Sequence, residues 1–87
     1  MSAITPNTVL RESMGSTTLL ICGFTTTSVS DTWTPASVIP VVSYWAQAVG
    51  GLGIQEPDTN YQPNTGVFTF TGGTTYGPFT LFIMART

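Results

Sequence analysis

Histidine and lysine are both absent, and the only charged side chains in the 87 residues are Arg11, Glu12, Asp31, Glu56, Asp58 and Arg86. General acid–base catalysis draws on His, Lys or a pair of carboxylates with separated pKa values. The first two are absent, Glu56 and Asp58 are separated by Pro57 in a loop that reads as solvated, no catalytic constellation is found, and an enzyme is the least expected class. Cysteine occurs once, as Cys22, so an internal disulfide is excluded. With no histidine to activate it, and inside an apolar run, Cys22 reads as an inert buried thiol. Two arginines and a net charge of -2 cannot neutralise several phosphates, which argues against nucleic acid and against anionic lipid. The apolar runs 19–22 and 81–85 are far shorter than the ~20 residues of a membrane-spanning helix. The opening Met1-Ser2-Ala3-Ile4-Thr5-Pro6 has neither the basic region nor the apolar core of a secretory signal, so a product made in the cytoplasm is expected. Asn7, Asn60 and Asn64 all lack the hydroxyl residue of a glycosylation sequon.

What is present is apolar and aromatic. Hydrophobic residues make up 41% of the chain and charged residues 7%, against about 25% charged in an ordinary soluble domain. That richness argues against disorder, and the length allows one domain, 1–87, with a single core. So little charge does little to resist association, and it suits a subunit built into an assembly. A neutral secreted β-domain would share the composition.

The alternation of the chain is that of strands. Residues 66–71 alternate, with Phe68 and Phe70 opposite Val67, Thr69 and Thr71. After a turn over 72–78, residues 79–85 are apolar on both faces, Leu81, Ile83 and Ala85 against Phe82 and Met84. Together they predict a closing β-hairpin. Residues 16–25 repeat the doubly apolar pattern, Leu19, Ile21 and Gly23 against Leu20, Cys22 and Phe24. Residues 3–14 carry Pro6 and the pair Arg11-Glu12, which suits an edge strand, and Met14-Gly15-Ser16 reads as a turn. Residues 26–34 read as a turn and a short strand around Val29 and Trp33. Over 35–49 a helix capped by Thr34 and stopped by Gly50-Gly51 competes with a strand. Pro40 would sit inside that helix at a cost of about 3 kcal/mol, so a strand over 41–48 after a proline bend is preferred. Gly50-Gly51-Leu52-Gly53 reads as a turn, Ile54-Gln55 as a short strand and 56–65 as a polar loop. The expectation is an all-β domain: a small antiparallel β-sandwich or barrel of six to seven short strands, closing with a C-terminal hairpin.

A chain this short makes two layers at most, so a doubly apolar strand has one face in the core and another that needs cover. A neighbouring subunit can supply it, or a long loop of the same chain. The candidate interface residues are Leu20, Phe24, Phe82 and Met84 of the doubly apolar strands, with Trp33 and Trp45. Two other clusters have weaker readings. Glu56, Asp58 and Asn60 offer oxygen ligands to a hard cation, though a solvated polar turn accounts for them and their spacing matches no compact calcium loop. Trp33, Tyr44, Trp45, Tyr61 and Tyr76 could stack on a sugar, a role that competes with core or interface packing.

Asp31-Thr32-Trp33, Ile39-Pro40, Val42-Ser43-Tyr44-Trp45-Ala46, Gly66-Val67-Phe68-Thr69-Phe70 and Thr80-Leu81-Phe82-Ile83-Met84 follow one another in an order that is similar to short structural proteins of environmental, often marine, tailed bacteriophages. The resemblance runs from about Thr8 to Ala85 and is least clear over 56–65. It implies a non-enzymatic virion component present in many copies, such as a capsid decoration protein. Its partners would be other copies of itself or a major capsid protein, with no cofactor, catalytic residue or metal ligand. A carbohydrate- or receptor-binding module and a subunit of a fibre or tail tube are the alternative roles.

Overall fold

The computed structural model describes residues 2–25, 28–49 and 56–86. They form eight strands and, among the described residues, no helix: β1 Ser2–Ala3, β2 Thr8–Met14, β3 Thr17–Phe24, β4 Ser28–Trp33, β5 Val41–Ala48, β6 Asp58–Gln62, β7 Val67–Tyr76 and β8 Phe79–Arg86. Two four-stranded sheets result, in the orders β1-β4-β7-β6 and β2-β3-β8-β5. Every pairing is antiparallel except the short β1–β4 contact. The all-β sandwich expected from the alternation is the fold, with eight strands in place of six or seven and without barrel closure. The expected strand over 41–48 is β5, and the expected edge strand contains β2. The turn and strand expected over residues 50–55 lie outside the described residues.

The closing hairpin is not formed. β7 pairs with β4 and β6, whereas β8 pairs with β3 and β5, so the chain crosses from one sheet to the other through Gly77-Pro78. The inner side chains of the two strands, Phe68 and Phe70 against Leu81 and Ile83, are all fully buried in the core between the sheets. Each strand is central in its own sheet, which is why both are rich in apolar residues. β7 also continues through the stretch expected as turn, its register with β4 jumping between Thr71 and Tyr76. Within 56–65, read as loop, residues 58–62 form a strand, β6, laid along β7.

Among the described residues, two turns use the left-handed region open to glycine: Gly15 and Gly66 each have φ of 74°. Gly15 is the first residue of the two-residue loop between the paired Met14 and Thr17, and among the described residues no non-glycine has positive φ. This is the pattern of a type II′ hairpin turn.

The core is mainly aromatic. Phe24, Phe70, Phe79 and Tyr76 cluster with Phe79 at the centre, its ring centroid 4.9 Å from Phe24, 4.8 Å from Phe70 and 5.6 Å from Tyr76. One charged residue is buried among them. Asp31 is 1% exposed and accepts a 2.6 Å hydrogen bond from the Tyr76 hydroxyl. A buried carboxyl stripped of a partner bears its desolvation cost alone. Tyr76→Phe, which keeps the ring and deletes the donor, is therefore expected to lower stability by roughly 2–3 kcal/mol in urea denaturation. Residues 26–34 read as a turn and a short strand around Val29 and Trp33, and nothing in that reading gives Asp31 this role.

Candidate functional site

The sheet β2-β3-β8-β5 has one face in the core and one outside. Along β3, Leu20, Cys22 and Phe24 are buried while Leu19, Ile21 and Gly23 are half-buried; along β8, Phe79, Leu81, Ile83 and Ala85 are buried while Phe82 and Met84 are half-buried. Residues directly opposite in a ladder share a face. The register therefore draws one apolar row straight across the outer face: Leu10, Ile21, Phe82, Trp45. Beside it lies the row Glu12, Leu19, Met84, Ser43. Trp45 stacks on Phe82, with centroids 5.1 Å apart and planes 10° from parallel, and still leaves 46% of its surface exposed. Leu10, at the other end of the row, is 61% exposed. No strand of the described residues covers this face.

The six candidate interface residues divide. Phe82, Met84 and Trp45 stand on the outer face. Leu20, Phe24 and Trp33 belong to the core: Phe24 stacks on Phe79 and Trp33 on Phe68, and all three are at most 9% exposed. They cannot meet a partner while the domain is folded. Face parity along a strand says which residues go together, and only the second sheet decides which set goes inside. Leu10, Leu19 and Ile21 complete the face and were not among the candidates. Their signal was present in the alternation of Leu10 with Arg11 and in the two faces of residues 19–24.

The aromatic residues considered for sugar stacking do not converge. Trp33 and Tyr76 are buried. Tyr44 and Tyr61 meet edge to face at 6.2 Å, and the Tyr61 hydroxyl donates to the Ile39 carbonyl while the Tyr61 backbone N–H donates to the Tyr44 hydroxyl. Trp45 is on the opposite side of the sheet. Glu56 and Asp58 are exposed near the start of β6, and among the described residues no three His, Cys, Asp or Glu side chains gather as metal ligands.

A groove of about 380 Å³ runs under β2, lined by Val9 and Arg11 with Leu20, Cys22, Trp33 and the loop residues Val38 and Ile39. Burial pushes the Cys22 thiol up to about 11 from 9.0, with the Arg11 guanidinium pulling weakly the other way. At neutral pH it is a protonated, unreactive thiol. The folded chain holds this proton up to about pH 11, whereas the unfolded chain releases it near 9. The fold therefore binds the extra proton in between and loses stability as pH rises through that window, by roughly 2–3 kcal/mol. Urea midpoints measured from pH 8 to 11 are expected to fall more steeply for the native chain than for Cys22→Ala.

No helix of the described residues is long and apolar enough to cross a membrane. Comparison with protein-family models, with curated proteins and with solved structures finds no match to this chain.

Proposed function

We propose that this chain is a non-enzymatic structural subunit that acts in many copies, a virion component that decorates or stabilises a capsid, meeting copies of itself or a major capsid protein through the outer face of the β2-β3-β8-β5 sheet. The observation that carries this reading is the row Leu10, Ile21, Phe82, Trp45, laid across all four strands of a chain with only six charged residues. Its side chains are already half-covered by one another, so covering the rest, with Leu19 and Met84, is worth on the order of 5 kcal/mol before the entropic cost of association. That is a useful increment for a subunit held in a repeating lattice and too little for a tight isolated dimer. The resemblance to phage structural proteins supplies the setting. Light scattering across a concentration series tests it, with the mass expected to rise above that of one chain as concentration increases. A filament would move the role to a fibre or tail tube. A mass that stays at one chain, together with no binding to capsid shells, would overturn the proposal.

A further inference from the structure

Four strands end the two sheets, and three are poorly suited to further pairing. β1 has two residues, β6 has five and is flanked by Pro57 and Pro63, and β5 carries a register shift between Val41 and Ser43. β2 is different. It is seven residues long, free of proline and bulge from Thr8 to Met14, exposed at every residue, and among the described residues laddered only to β3.

Its outward groups can be assigned. A two-residue II′ turn closes on a hydrogen-bonded pair, here Met14 and Thr17, and such pairs alternate along an antiparallel ladder. Glu12, Leu10 and Thr8 thus turn their backbone groups toward β3, whereas Ser13, Arg11 and Val9 turn theirs to the free edge. A second β2 joining antiparallel about a two-fold axis must match outward residues with outward residues, so the axis passes through a residue and not between two. Centring it on Arg11 sets Arg11 against Arg11, and centring it on Glu12 sets Glu12 against Glu12; like charges directly opposite are unfavourable. Centring it on Leu10 avoids both. Val9 then lies opposite Arg11 with backbone hydrogen bonds in both directions, and Thr8 lies opposite Glu12, whose carboxylate can accept from the threonine hydroxyl. The adjacent charges that protect this edge from stray pairing leave one long symmetric register open.

We propose that β2 is a pairing edge for a second copy of this chain, joined antiparallel with Leu10 facing Leu10 on a two-fold axis. The product is a continuous eight-stranded sheet in the order β5-β8-β3-β2-β2-β3-β8-β5. The apolar row then runs unbroken across both copies, Trp45, Phe82, Ile21, Leu10 and back through Leu10, Ile21, Phe82 and Trp45, on the order of 34 Å at the usual strand spacing. Two half-faces become one docking stripe. Five residues of edge pairing bury less than the ~1,200 Å² of a stable interface, so the pair is weak when dilute and is held by the larger assembly. This inference rests on the self-association within the proposed function, but it concerns the edge and not the outer face.

Disulfide trapping tests it. A non-hydrogen-bonded antiparallel pair has Cα atoms about 4.5 Å apart, within disulfide range. Leu10→Cys is expected to cross-link into covalent dimers under mild oxidation at least about 10-fold faster than Glu12→Cys, whose two copies stand about 13 Å apart along the strands. The native chain, with only its buried Cys22, is expected not to cross-link. Adding Val9→Pro to Leu10→Cys deletes an outward N–H without touching the β3 ladder, and is expected to slow trapping by about 10-fold. Measured below the concentration at which larger assemblies form, adding Phe82→Asp instead is expected to leave trapping within about 2-fold, since β8 does not meet the second copy's edge. Faster trapping through Arg11→Cys, or equal rates for Leu10→Cys and Glu12→Cys in a chain that still associates, overturns the Leu10 register while leaving the outer-face reading standing. Efficient trapping in a chain whose assembly ignores Phe82→Asp does the reverse.

Discussion

Phe79→Ala is expected to remove about 3–5 kcal/mol of stability. Phe79 is fully buried and touches ring faces or edges from both sheets: Phe24 of β3, and Phe70 and Tyr76 of β7. Truncation loses the transfer energy of the ring and leaves a cavity whose walls are other rings. Those walls are held by two separate ladders and cannot collapse together. A domain of this length has about 4–13 kcal/mol of stability in all, so the variant should be largely unfolded at 37 °C or lost at moderate urea. Phe79→Leu, which keeps most of the volume, should cost distinctly less. Urea denaturation followed by tryptophan fluorescence reads both, because Trp33 stacks on Phe68 in the same core and edges against Phe24. If alanine at 79 costs under about 1 kcal/mol, the two sheets are not joined through this ring.

Phe82→Asp is expected to do the opposite: to leave the domain folded and abolish assembly through its outer face. Phe82 is three residues from Phe79 on the same strand, but it faces outward between Ile21 and Trp45. Losing the stack on Trp45 and placing Asp in a strand should cost about 1.5–2.5 kcal/mol, within what the core can absorb. The same carboxylate at the centre of a covered face would have to lose its water with no cation opposite it, since the neighbours across the sheet are Ile21 and Trp45. The concentration needed for assembly should rise by at least about 100-fold, while the far-ultraviolet spectrum stays that of the folded chain and the urea transition stays cooperative, its midpoint lowered by about 1–2 M. Sedimentation velocity checks it. Unchanged assembly would mean that the apolar row is not the contact.

The contrast between positions 79 and 82 also marks where sequence reading stops. Alternation in 16–25 and 79–85 was enough to find the two doubly apolar strands, and Pro6 with the charges of Arg11 and Glu12 was enough to mark an edge. Pro40 decided correctly against a helix and in favour of β5. The hairpin failed for a physical reason. Gly and Pro announce that the chain turns, but a turn within a sheet and an arch between sheets use the same residues, and the choice depends on which neighbours each strand finds. β6 was missed because Asp58, Asn60 and Gln62 are poor strand formers whose pairing comes from β7. Asp31 was missed because a buried carboxyl has no local signature; its partner, Tyr76, is 45 residues away.

The sequence by itself determined the class of structure and the absence of a histidine- or lysine-based catalytic set, because composition and period-2 alternation are local properties. It also determined that apolar surface would be left over, because two strands carried more of it than two layers can hide. Only the tertiary structure decided which apolar residues those were. Leu20, Phe24 and Trp33 went inside and Leu10, Ile21, Phe82 and Trp45 stayed out because the second sheet packs on one face of the first, and a strand pattern that is apolar on both faces contains no preference between them.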